Sequence, residues 1–165
     1  MIDRSVAVIG SFRRYNRQVQ DVCADLRAAG IVVTSPRGEE ILKEGIEFVR
    51  FASDDADWSD PAIQTLALHR IFRADLVYVV SPDGYVGRTT CYEVGRVIQQ
   101  RKPIYFSARP RDLPLHLPDS CVLDVNALIQ YLLNTAWQPV WPFEGGLGKV
   151  ESLERELLEG KFRND

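Results

Sequence analysis

The side chains able to do chemistry gather in two loops and one helix start. The first loop reads Gly10-Ser11-Phe12-Arg13-Arg14-Tyr15-Asn16. Gly10 lets backbone come close to a ligand, Ser11 offers a hydroxyl, and Arg13 and Arg14 offer guanidinium forks suited to phosphate. A plain strand-to-helix turn with solvated arginines would read the same. The second loop, Ser81-Pro82-Asp83-Gly84-Tyr85-Val86-Gly87-Arg88-Thr89-Thr90, runs into Cys91-Tyr92-Glu93-Val94-Gly95-Arg96. Open amide N–H groups at that helix start favour an anion or sugar hydroxyls. Glu93 is the one carboxylate at that helix start. The spacing Thr90-x-x-Glu93 also spells a capping box, with Thr89 or Thr90 as the cap and Glu93 near the third helical position, which needs no ligand. Gly84 and Gly87 make the loop roomier than a structural turn requires, and Gly95 opens the helix to a close neighbour.

Other reactive types have weaker cases. Tyr85 and Trp58 can stack on a flat heterocycle or simply pack. Cys91 lies near a helix N-terminus, where a thiol pKa falls, but no histidine stands ready to partner it. His69 fits a partly exposed structural role, and Asp75 fits a local backbone cap ahead of a buried strand. His69 and His116 are the only histidines, with no HExxH and no Cys/His cluster, so a structural zinc site is not expected.

Positioning these loops requires strands and helices in alternation. Val6–Ile9, Ile31–Thr34 and Leu76–Val80 are short continuous apolar runs, as expected of strands buried on both faces. Ile104–Phe106 and Cys121–Leu123 are weaker runs of the same kind. Helical spacing links Val19, Val22, Cys23, Leu26 and Ala29, closed by Gly30. It links Ile63, Leu66, Ala67, Ile71 and Phe72 behind a Ser59-Asp60-Pro61 start. Further helices are expected over about 89–100, 125–133 and 150–158. Glu39–Phe51 could be helical, and Ser53–Asp60 reads as an acidic loop. The pattern predicts one α/β domain, an open, doubly wound, flavodoxin- or Rossmann-like parallel sheet of about five strands flanked by helices. The domain would span 1–140, followed by a tail over 141–165, and Trp137 and Trp141 with Pro139 and Pro142 read as a clasp for that C-terminal segment or a dimer contact. Ligands of such sheets bind beyond the carboxyl ends of the strands, where both loops fall.

Composition narrows the partners. The 165 residues are 45% hydrophobic and 26% charged, the balance of a globular domain with a real core. A net charge of −3 argues against extended nucleic acid, while a small phosphorylated ligand needs only a local cluster of donors. No apolar run approaches the ~20 residues that span a bilayer. Three scattered cysteines and an N-terminus that enters a strand at once, without a long signal-peptide core, point to the cytoplasm.

In order and spacing, these pieces resemble the nucleoside 2-deoxyribosyltransferase superfamily. Val6-Ala7-Val8-Ile9-Gly10-Ser11-Phe12-Arg13 looks like its first loop. Arg73-Ala74-Asp75-Leu76-Val77-Tyr78-Val79-Val80, Gly84 to Gly87 and Thr90-Cys91-Tyr92-Glu93-Val94-Gly95 look like its signature strand, loop and helix. The likeness covers roughly residues 5–107 and is nearest to the 2′-deoxynucleoside 5′-phosphate N-hydrolase branch. It implies a nucleoside or nucleotide ligand and a glutamate at position 93 that attacks the anomeric carbon in a two-step, retaining manner. It implies that Gly10, Ser11, Phe12, Arg13, Asp83, Tyr85, Gly87, Arg88, Thr89 and Thr90 contact the substrate, and that the chain forms a homo-oligomer, a dimer. The chain departs from the family at Ala67, where an aspartate is usual, and at Gly87, where Asp or Ser is common. Leaving-group protonation, typically worth about 10²–10⁴-fold, is then without an owner unless Asp83 or an acid of Ser53–Asp60 supplies it. The rival expectations are a non-catalytic nucleotide sensor and a flavodoxin-like protein in which Thr90 and Glu93 only cap a helix.

Overall fold

The computed structural model describes residues 4–42 and 48–164. Four strands, β1 (Ser5–Gly10), β2 (Val32–Ser35), β3 (Leu76–Val80) and β4 (Ile104–Phe106), form one parallel sheet in the order β2-β1-β3-β4. Five α-helices accompany it: α1 (Phe12–Ala28), α2 (Asp60–Arg73), α3 (Arg88–Gln99), α4 (Val125–Leu133) and α5 (Lys149–Leu158). The architecture is the expected open α/β sheet, with four strands in place of about five. The fifth run lies beside β4, but a 3-10 turn at Asp119–Cys121 takes up its first residue. What is left is a parallel bridge from Phe106 to Val122 and a hydrogen bond from the Leu123 N–H to the Phe106 carbonyl at 2.9 Å.

Side chains alternate across a strand, so each strand feeds two cores. Ala7, Ile9, Val77, Val79, Ile104 and Phe106 pack with Leu68 and Ile71 of α2 and with Val94, Val97 and Ile98 of α3. Val6, Val8, Leu76, Tyr78 and Tyr105 pack on the opposite face with Val19, Cys23 and Leu26 of α1 and with Leu128 and Leu132 of α4. The continuous apolar runs of the sequence are the result of this two-sided burial.

Local chemistry sets the helix ends. Ser59 caps α2 by accepting the Ala62 N–H at 3.4 Å, and Pro61 occupies its first turn. After α1, Gly30 turns the chain at φ +78° while the Gly30 and Ile31 N–H groups return to the carbonyls of Arg27 and Leu26. The Glu39–Phe51 helix does not form at its described ends. Ile41 bridges Phe51 antiparallel, and the Leu42 and Ala52 N–H groups donate to the carbonyls of Arg50 and Glu40. Residues 43–47 of that expected helix lie outside the described part.

The tail belongs to the same core. Trp141 and Phe143 are buried against the α2/α3 side, and the Trp141 indole N–H donates to the Ile98 carbonyl at 3.1 Å. Trp137 stacks on Tyr131 and tilts against Tyr105, so the aromatic clasp closes within one chain. Among the described residues no helix is long and apolar enough to cross a membrane.

Candidate active site

From β1 the chain runs through α1 to β2 on one side, whereas β3 lies on the other side of β1. The connections diverge at the carboxyl ends of β1 and β3, which opens a crevice there. A cavity of about 180 Å³ occupies it. Gly10 to Arg13 line it from the first loop, Tyr85, Gly87, Arg88, Thr89 and Thr90 from the second, and Glu93 from α3. The structure therefore gathers ten of the eleven positions read from the sequence into one cavity wall, all but Asp83. Pro82, Asp83 and Gly84 make a 3-10 turn that folds toward Arg111, whose N–H donates to the Gly84 carbonyl at 2.9 Å. Asp83 is exposed at φ +55° and, unlike the other expected contacts, does not line the cavity.

Glu93 does not cap α3. The helix opens at Arg88 behind Gly87, whose φ of +84° favours glycine, and no side chain bonds the cap. The carboxylate thus sits in the second turn of α3 rather than at its third residue, which is Thr90. Only 5% exposed, it accepts a hydrogen bond from Gln64 Nε2 of α2 at 2.9 Å. Burial pushes the Glu93 pKa up to about 7, with the Gln64 hydrogen bond pulling partly the other way. A carboxyl poised at neutrality can attack as the anion or hold a proton, depending on pH.

The second loop is fixed from outside the cavity. The Asp112 carboxylate accepts the Val86 N–H at 3.1 and 3.2 Å and the Gly87 N–H at 3.5 Å. On the rim, Arg14 lies over the rings of Tyr85 and Tyr15, 4.6 and 5.2 Å from their centroids. Phe12 meets Phe51 edge-on at 5.0 Å and walls the other side. Gly10 is small for a reason of packing: a Cβ there would stand 2.9 Å from the Val80 carbonyl oxygen and 3.0 Å from Val19. Gly95 admits no neighbour at all, since nothing lies within 4 Å of a Cβ built on it.

Several cavity residues escaped the sequence reading. Gln64 and Arg70 of α2, on either side of Ala67, line it, as do Ser35 and Arg37. Gln64 and Arg70 were legible only as polar residues three positions either side of Ala67, on a mainly apolar stripe. Ala67 presents a methyl group where a carboxylate was wanted. Of the candidate replacement acids, Asp54 is at the cavity, where it accepts the Phe51 N–H at 2.8 Å. Trp58 lines an adjoining cavity instead.

The remaining reactive groups have ordinary duties. Burial, reinforced by Asp112, raises the Cys91 pKa, opposite to the lowering expected at a helix start. Asp75 accepts from the Ser5 N–H at 2.7 Å and the Ser5 hydroxyl at 2.8 Å, at the far end of the sheet. His69 is exposed on α2. Among the described residues no group of three or more His, Cys, Asp or Glu is placed to hold a metal ion. Comparison with protein-family models, with curated proteins and with solved structures yields no match to this chain.

Proposed function

We propose that this protein cleaves or transfers the N-glycosidic bond of a nucleoside or nucleoside 5′-monophosphate through an ester on Glu93. The observation that carries the reading is a buried carboxylate in the wall of a switch-point cavity, relieved of any capping duty and oriented by Gln64. The resemblance over residues 5–107 supports the same chemistry. In the ionised form a Glu93 oxygen attacks the anomeric carbon while the base departs with the C–N electron pair. Water or a second base then resolves the ester, returning the carboxylate. Ser11, Thr89 and the backbone around Gly87 face the same space and suit the sugar and any phosphate. The reaction needs no metal or organic cofactor. The three cysteines are free thiols, in keeping with a cytoplasmic enzyme, and the same reading has it working as a homodimer.

One observation favours a second reading, a nucleotide-binding module without turnover: the Ala67 methyl lines the cavity where leaving-group help was expected. Release of free base from a panel of nucleosides and 5′-monophosphates, by native protein and by Glu93→Ala, separates the two. Release that disappears in the variant supports the glycosidase. Binding by both proteins with no release from any substrate overturns it in favour of the module.

A further inference from the structure

A second cavity of about 200 Å³ adjoins the one that holds Glu93, and Arg37, Asp54, Ile63 and Arg70 line both. Arg70 stands at their junction. Its Nε is shut off from solvent without a hydrogen-bond partner, and among the described residues its guanidinium makes no ion pair. Burial lowers its pKa; Arg37 and Arg73 push the same way and Asp54 opposes them. An arginine does not shed its proton in a protein, so this is a fixed cation with an unused buried donor on a cavity wall.

Its place along α2 says what it could meet. Gln64, Ala67 and Arg70 follow one another at three-residue intervals on the cavity side. At a rise of 1.5 Å per residue, the Arg70 backbone stands about 9 Å beyond that of Gln64, the residue that holds Glu93. A ligand whose anomeric carbon meets Glu93 and whose heterocycle runs along α2 passes the Ala67 methyl and ends at the guanidinium.

We propose that Arg70, with Arg37 beside it, forms an anion subsite for the leaving heterocycle, so that the preferred substrates carry an acidic, oxo-substituted base of the pyrimidinedione type. This rests on the glycosidase reading for the word "leaving", but the subsite itself is a matter of binding. As the C–N bond breaks, its electron pair goes to the heterocycle, which departs as an anion opposite Arg70 and takes its proton from water on release. Charge stabilisation by a fixed guanidinium thereby replaces the proton that an acid at position 67 would have donated.

The test is calorimetric titration of the full chain with orotate, a carboxylated pyrimidinedione, and with cytosine. Native protein binds orotate at least tenfold more tightly than cytosine. Arg70→Gln loses that preference, Arg70→Lys regains part of it, and cytosine affinity changes less than orotate affinity in both. Native protein that binds orotate no better than cytosine overturns the subsite without recourse to any variant. So does Arg70→Gln, folded by circular dichroism, with native orotate affinity. Base release is followed in parallel. Arg70-dependent orotate binding without release from any nucleoside upholds the subsite and sinks the glycosidase. Release that is equally fast for uracil and cytosine nucleosides, and undiminished in Arg70→Gln, keeps the glycosidase and sinks the subsite.

Discussion

Replacing Glu93 with Gln should stabilise the protein, and only above acidic pH. The Glu93 pKa stands at about 7 in the fold against an ordinary 4.5, because burial disfavours the anion. Between these values the unfolded chain gives up a proton that the folded chain retains. Native stability therefore falls as pH rises from about 4.5 to about 7, then levels off. A gap of 2.5 pKa units, at about 1.4 kcal/mol each, amounts to about 3 kcal/mol of stability lost at neutral to alkaline pH. Glutamine mimics the protonated carboxyl: its Oε1 can still accept from Gln64 Nε2, and it never ionises. For a domain of this size about 3 kcal/mol corresponds to roughly 6–12 °C in Tm. Thermal unfolding of native protein and Glu93→Gln would be followed by circular dichroism from about pH 4 to about pH 8. The two melting curves should coincide near pH 4 and separate by that amount near pH 8, the variant melting higher. A difference that stays constant across the range would refute the reasoning, since the carboxyl would then not change protonation in the interval claimed.

Three further substitutions test other parts of the account. Gln64→Leu removes the hydrogen bond that lowers the Glu93 pKa, so the acid limb of any pH–rate profile should move to higher pH and activity at neutral pH should fall. Gly10→Ala forces a methyl to within 2.9 Å of the Val80 carbonyl oxygen, and denaturant titration should show a loss of about 1–3 kcal/mol. Gly95→Ala meets nothing on an exposed helix face and should gain about 0.5–1 kcal/mol in the same titration.

The sequence revealed the parts of this molecule whose signals are local. Apolar runs bounded by turns located the four strands, and Ser59-Asp60-Pro61 marked the start of α2, because burial and capping act on neighbours in the chain. Its failures were of contact. The Thr90–Glu93 spacing fits a capping box, but Gly87 takes the cap and turns Glu93 inward, a choice fixed by how Asp112 ties the loop 25 residues away. Gln64 and Arg70 enter the site because α2 and α3 share one face of the sheet, which no spacing within either helix announces. Gly95, by contrast, suggested a close neighbour that the fold does not bring.

The two-sided burial of the sheet separates what holds this protein together from what it does. Gln64 and Glu93 project from α2 and α3, whose apolar faces fill one core, whereas α1 beyond its first turn and α4 fill the other. Leu26, Leu128 and Leu132 can thus be repacked to strengthen or weaken the fold while the carboxylate and its partner keep their geometry. Comparable changes at Leu68, Ile71 or Val94 would shift both at once. A chain of this architecture can drift in stability on one side of its sheet while its chemistry is held constant on the other.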